Sequence, residues 1–291
     1  MSQRLNRLVV VAGPTAIGKT AYAIRLAQQL GTEVVSCDSR QFYREMRIGV
    51  ARPSDDELSS VPHHFIACRS VSEPYNIYDY HHDATAVVVR LLNEHGAAVA
   101  VGGSGLYIEA LTEGVSRLPD PTPELRSALQ QMPLAEKQAR LQQLDPTAYD
   151  HIDRQNPVRV QRALEVCLTA HQPYSKLIAE HRPATSPFVT EVRVLQTDNT
   201  TLRQRIDSRV DQMMADGLLH EAESLLPMRD LPTLRTVGYR ELFPVFDGKT
   251  ALDDAIAQIK LDTWHYARKQ LTWLRKETNK PYYHIQQTNI I

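Results

Sequence analysis

The sequence predicts an α/β protein in which a parallel sheet covered by helices is interrupted by an all-helical segment. Three observations predict it. Apolar β-branched runs alternate with helix-length amphipathic runs through the first hundred residues, the order that builds parallel sheets with helices on both faces. A turn carrying G-x-x-x-x-G-K-T joins the first apolar run to the first helix. From residue 116 to 187 the pattern changes to helices separated by proline turns, as in "PDPTPELRSALQQMP", before strand-like sequence resumes.

The elements follow in order. "RLVVVAG" is the first strand, and the run from Lys19 to about residue 30 is the first helix. "TEVVSCDS", residues 32–39, is a second strand, and residues 41–75 carry turn signals and read as irregular. "IYDYHHDATAVVVRLLNEHG" is a helix that ends at Gly96, a residue suited to a left-handed C-cap. "AAVAVGGSG" is a third strand running into a glycine turn and the helix "LYIEALTEG". After the helical segment, "FVTEVRVLQTD" returns the chain to the sheet, and residues 201–226 and 251–277 read as two long helices. The expected organisation is a discontinuous core, residues 1–115 and 188–291, around a helical insertion, residues 116–187.

A chain of 291 residues is long enough for such a core with an insertion. Its net charge of −1 does not announce a nucleic-acid binder, so any such role must rest on local patches. Cys37, Cys68 and Cys167 lack C-x-x-C spacing, which argues against a disulfide framework or structural zinc and suits a reducing cytoplasm. No apolar run approaches the roughly 20 residues of a membrane span. "MSQRLNR" enters the first strand directly, leaving no room for a signal peptide. The expectation is a cytoplasmic protein that need be no more than a monomer.

The glycine turn reads "GPTAIGKT". Gly13 and Gly18 bracket Pro14, Thr15, Ala16 and Ile17, and Lys19 and Thr20 open the next helix. Backbone N–H groups of such a loop converge on phosphate oxygens, and the helix N-terminus adds a positive dipole end. The lysine supplies a mobile charge and the threonine hydroxyl can ligate Mg2+. The expected core is therefore P-loop NTPase-like. Three uses stay open: hydrolysing a nucleotide, moving a phosphoryl group, or gripping a pyrophosphate.

Asp38 stands at the carboxyl end of the second strand, in the crevice where parallel sheets bind ligands. It can reach a metal through water, hold a hydroxyl or take a proton; capping a turn is the plainer alternative. Nucleotide hydrolysis would ask for a second Mg2+-binding aspartate at the end of an apolar strand. Here the third strand ends in "VGGSGLY", and Gly102, Gly103, Ser104 and Gly105 read as a second ligand-binding turn. Arg205 and Arg209 lie four residues apart on one helix face. They could clamp a pyrophosphate or pair with Asp207 and Asp211 in solvent. The tail carries a basic stripe of Arg268, Lys269, Arg275, Lys276 and Lys280, interleaved with Trp264, Tyr266 and Trp273, which would stack bases or face the core.

Taken in order, "GPTAIGKT", "DSRQFYREMRIGVARP", "VPHH", "VGGSGLY", "RALEV", "SRVDQMMADGL", "VGYRE" and "ARKQLTW" resemble the bacterial-type tRNA dimethylallyltransferases, also called tRNA isopentenyltransferases. The resemblance implies a P-loop core with a helical tRNA-binding insertion. It implies transfer of the dimethylallyl group of dimethylallyl diphosphate to N6 of the adenosine 3′ to the anticodon, with Mg2+ as cofactor and diphosphate as leaving group. On this reading residues 13–20 and Arg205 hold the diphosphate, Asp38, Thr20 and Arg205 are catalytic, and Thr20 ligates the metal. The tRNA anticodon loop would meet Asp38, Ser39, Arg40, Gln41 and Ser104, then Arg126, then Val158, Arg159, Val160, Gln161 and Arg162. Arg235, Thr236, Val237, Gly238, Tyr239 and Arg240 complete the implied tRNA contacts. The chain departs from the family pattern at Asn156 and Trp264, where Asp and Arg are usual, and at Val50, Ala51 and Arg52, which replace Thr-Ala-Lys.

Three rivals make different demands. An adenylate isopentenyltransferase shares the P-loop and aspartate but needs neither insertion nor basic tail. A small-molecule kinase would consume ATP and leave ADP. A tRNA-binding protein with a relict P-loop would ignore dimethylallyl diphosphate.

Overall fold

The computed structural model describes residues 6–180, 188–276 and 282–286. The chain divides into two compact units, Met1–Thr112 with Ser186–Ile291, and Glu113–Thr185.

The first unit begins with β1 (Arg7–Ala12), α1 (Lys19–Leu30), β2 (Val34–Ser36), α2 (Asp55–Ser60), β3 (His63–His64), α3 (Ile77–His95), β4 (Ala97–Gly102) and α4 (Gly105–Glu113). The second unit is helical: α5 (Pro123–Gln131), α6 (Leu134–Leu144), α7 (Pro146–His151), α8 (Pro157–Ala170) and α9 (Tyr174–Glu180). The first unit then resumes with β5 (Val189–Gln196), α10 (Asn199–Ala215), α11 (Leu218–Ser224), α12 (Tyr239–Phe246), α13 (Leu252–Lys276) and β6 (Tyr282–Gln286).

Among the described residues, six strands form one parallel sheet in the order β3-β2-β4-β1-β5-β6. The central strand explains its own sequence. Leu8, Val9, Val10 and Val11 are all fully buried, because a parallel strand covered on both faces needs apolar side chains at every position. Leu8 and Val10 join one core cluster, while Val9 and Val11 join another, so the two-residue alternation of the strand serves both layers. Glycines set the ends of the covering helices: Gly96 closes α3 at φ 74, donating to the Leu92 carbonyl.

Several elements differ from expectation. The 201–226 helix is two helices, because Gly217 breaks it at φ 102. The second strand is only Val34–Ser36, since Asp38 turns the chain by accepting the Arg40 N–H at 2.9 Å. The stretch read as irregular holds α2, started by a Ser54–Glu57 capping box, and the two-residue β3. Strand β6 pairs with β5 at the sheet edge and has no counterpart in the sequence reading. Among the described residues, no helix is long and apolar enough to cross a membrane.

The helical unit has its own small core of Leu141, Val160, Ala163 and Cys167. Two buried charges sit beside it and are bridged, which burial of charge demands. Lys137 donates to the Gln161 carbonyl at 2.9 Å, and the Gln161 amide donates to Glu165 at 2.9 Å.

Candidate active site

The loop after β1 is glycine-dependent for different reasons at its two ends. A Cβ at Gly13 would lie 3.1 Å from the Leu195 carbonyl oxygen, so the first glycine allows close packing. Gly18 caps α1 at φ 91, a left-handed conformation that an L side chain resists. Ala16 is also left-handed, at φ 63, a strain that persists only where the surroundings fix it. Part of that fixing comes from Gln270 of α13. Its carbonyl accepts the Thr15 N–H at 2.9 Å and its amide donates to the Gly103 carbonyl at 2.8 Å, tying the loop to the turn after β4.

Lys19 donates to the Pro14 carbonyl at 2.7 Å. Burial, reinforced by the neighbouring Arg209, pushes its pKa down to about 7, with Asp38 pulling the other way. Arg209 lies 3.5 Å from the Thr15 hydroxyl and is itself pushed down by burial. An anion arriving here would relieve both cations.

These groups face a cavity of about 660 Å3. Thr15, Lys19, Thr20 and Arg209 line it, as do Asp38, Ser39, Arg40 and Gln41 from the end of β2. Gly49 to Pro53 form another part of the wall, and Arg235, Thr236, Val237, Gly238 and Arg240 a further part, with Tyr266 and Gln270 from α13. Burial raises the Asp38 carboxyl above the ordinary aspartate value, against the Arg40 N–H and the Lys19 charge. A carboxylate held thus is a better proton acceptor than one in water. Gln41 is fixed beside it: its amide donates to the Ala51 and Val50 carbonyls at 3.0 and 3.4 Å, and its carbonyl accepts from Ser36.

The structure places some of the expected residues at the cavity and others away from it. Arg209, one turn beyond Arg205, is the arginine at the loop; Arg205 is not among the lining residues. The acids expected to neutralise this face are engaged elsewhere, Asp207 with Arg203 and Asp211 with Lys260. Tyr239 is fully buried and donates to Glu221 at 2.7 Å, so it supports the wall without lining it. Val160 is 1% exposed, a core residue of the helical unit with no surface for RNA. Ile17 is likewise fully buried and is not among the lining residues. Ser104 is bound to Ser39, 3.4 Å from both its N–H and hydroxyl. The glycines of "VGGSG" are tightly packed, since a Cβ on Gly102, Gly103 or Gly105 would strike Cys37, Gln270 or Trp273, and Gly102 also lines the cavity. Of the tail helix's aromatics, Tyr266 faces the cavity.

In the helical unit, Asn156 caps α8 through its side chain, with Val158 74% exposed and Arg159 exposed at its first turn. Arg162 lies 3.6 Å from Asp120 and 3.7 Å from Glu165, and Arg126 4.0 Å from Glu165. Arg240 pairs with Glu241 and, at 2.8 Å, with Asp262. Arg268, Lys269 and Arg275 of the basic stripe are exposed; the Lys276 side chain and Lys280 lie outside the described residues. Gln270 and Glu221 were not singled out in the sequence, although Tyr266 and Gln270, four apart in "YARKQ", already share a helix face.

The chain is similar to known proteins over most of its length. A family model described as IPP transferase matches residues 41–277. The chain is 44% identical to a tRNA dimethylallyltransferase of Christiangramia forsetii, over 94% of this chain and 91% of that one. It is 41% identical to a tRNA dimethylallyltransferase of Flavobacterium psychrophilum, over 94% and 92% of the two chains. Among solved structures, the full-length tRNA isopentenylpyrophosphate transferase of Bacillus halodurans superposes with a TM-score of 0.71 at 32% identity, covering 98% of this chain and 92% of that one.

Proposed function

We infer that this chain, which belongs to the IPP transferase family, carries out dimethylallyl transfer inside the cavity described above. It is a prenyltransferase with a P-loop NTPase-like fold, acting on tRNA. The finer reading is that dimethylallyl diphosphate is the donor and N6 of the adenosine 3′ to the anticodon is the acceptor. The observation that carries it is the presence of Lys19, Thr20, Arg209 and Asp38 around one cavity.

The chemistry follows from their positions. The bond from the allylic carbon to the diphosphate oxygen breaks, and the N6–carbon bond forms. Negative charge grows on the departing diphosphate, beside Lys19 and Arg209, which line the cavity; charges already in place where the leaving group departs stabilise it as that charge develops. The N6 proton passes to the Asp38 carboxylate, which leaves a neutral secondary amine. The target base must leave its stack to enter the cavity, a cost that an unpaired anticodon loop reduces.

Mg2+ fits the donors present. The Thr20 hydroxyl lines the cavity, and among the described residues no group of three or more His, Cys, Asp or Glu could hold a metal. An ion here would take few protein ligands and complete its shell with diphosphate oxygens and water, as Mg2+ commonly does. When bound it would neutralise part of the leaving-group charge.

For the tRNA, Arg159 and Val158 at the start of α8, with Gln161, Arg162 and Arg126, supply the contacts from the helical unit. Arg235, Thr236, Val237 and Arg240 supply those at the cavity. The protein would work as a cytoplasmic monomer. The test is one mixture of protein, Mg2+, labelled dimethylallyl diphosphate and unmodified tRNA, with AMP in a parallel tube and no ATP. Label in tRNA supports the reading; label in AMP alone would move the activity to a free nucleotide.

A further inference from the structure

Three consecutive backbone N–H groups converge on a single carboxylate, Glu221 of α11. Oε2 accepts from Arg47 at 3.0 Å and Ile48 at 2.8 Å, and Oε1 accepts from Ile48 and Gly49 at 3.0 Å each. The Tyr239 hydroxyl adds a fourth donor at 2.7 Å. Successive N–H groups in this arrangement form a concavity for an anion, and here the anion is the chain's own side chain.

The consequence reaches the cavity by two routes. Beyond Gly49 the chain closes a tight turn, with Ala51 N–H on the Ile48 carbonyl, Arg52 N–H on the Arg47 carbonyl, and Ala51 left-handed at φ 48. That turn lays residues 49–53 along the cavity wall and presents the carbonyls of Val50 and Ala51 that hold Gln41. The other route runs through Tyr239, which follows directly on the 235–238 wall. The two walls are fitted to each other: a Cβ on Gly49 would lie 2.6 Å from the Tyr239 ring. None of the Glu221 hydrogen bonds reaches the phosphate loop.

We propose that Glu221 is a positioning residue for the acceptor nucleotide, holding residues 47–53 and 235–238 in register so that the adenosine meets Asp38. The proposal rests on the reading of the cavity given above. It assigns Glu221 to one substrate and not the other, a split that a purely structural role would not produce.

Glu221→Gln tests it, because the amide would point N–H groups at N–H donors. With the full chain and both substrates, the KM for tRNA should rise about tenfold or more, the scale of losing hydrogen bonds to a charged acceptor. The KM for dimethylallyl diphosphate should stay within about twofold. Hydrogen exchange at residues 47–49 should quicken by about tenfold in the same protein. Tyr239→Phe removes one donor and leaves three, so its effect on the tRNA KM should run in the same direction and be smaller, about two- to threefold. Glu221→Asp, which keeps the charge, should recover part of the loss. Equal rises in both KM values, or quickened exchange with an unchanged tRNA KM, would overturn the proposal while leaving the reaction in place. A wild-type protein that labels no tRNA would remove the reading of the cavity, and the proposal with it.

Discussion

The phosphate cradle and the acceptor wall of this cavity are built in opposite ways. The cradle is one continuous stretch, residues 13–18 between β1 and α1 with Lys19 and Thr20 at the start of the helix, its shape set by Gly13, Ala16 and Gly18. The acceptor wall is assembled from segments far apart in sequence: Gln41 held by Val50 and Ala51, residues 47–49 held by Glu221, and Arg40 donating to the Thr233 carbonyl. A local site depends on turn chemistry, and an assembled site depends on which long-range partners fold against it. Damage to the first should therefore cost diphosphate grip, whereas damage to the second should cost acceptor recognition.

The largest effect should come where the two regions meet. Asp38→Asn should cut transfer by about 10²- to 10⁴-fold, the usual contribution of a positioned general base, while tRNA binding changes little in a filter or fluorescence assay. On the cradle side, Arg209→Ala should slow transfer by about 10²-fold, as for loss of one preorganised charge stabiliser. Arg205→Ala should stay within about threefold by the same reasoning, since that residue does not line the cavity. Steady-state rates for this pair decide which arginine serves the diphosphate.

The pH dependence is a finer probe. On the proposed mechanism Asp38 acts as its carboxylate, and burial raises its pKa above the ordinary aspartate value. The rate should therefore fall as pH drops through that raised pKa, with the loss starting at a higher pH than for an exposed aspartate. In Asp38→Asn this acid limb should vanish from the residual rate. The smallest effect is expected farthest from the chemistry. Arg159→Ala should weaken tRNA binding a few-fold and lower the slope of log affinity against log salt by about 0.7 to 0.9, the value for one phosphate contact.

The same contrast explains what was legible in the sequence. Strand β1, the cradle and α1 could be read directly, because a continuous apolar run, a fixed glycine spacing and an Ala- and Leu-rich run are all local signals. Asp38 was legible for a similar reason, standing at a strand end beside the loop. The choice between Arg205 and Arg209 was not, since both share a helix face and only the packing of α10 decides which reaches Thr15. Gln270 looked like one polar residue in a basic helix; its role depends on Thr15 and Gly103, more than 150 residues away. The glycines of "VGGSG" suggested ligand approach; Gly102 does line the cavity, while the packing of Gly102, Gly103 and Gly105 on Cys37, Gln270 and Trp273 left no local signal in the sequence. Short elements such as β3, two residues long, carry too little pattern to be read at all.

The most direct test of the account is single-turnover transfer by the wild-type protein and by Asp38→Asn, without ATP, followed by digestion of the tRNA to nucleosides. The account predicts N6-dimethylallyladenosine from the adenosine 3′ to the anticodon, formed about 10²-fold or more faster by the wild type. Equal rates in the two proteins, or label on any other nucleoside, would contradict it.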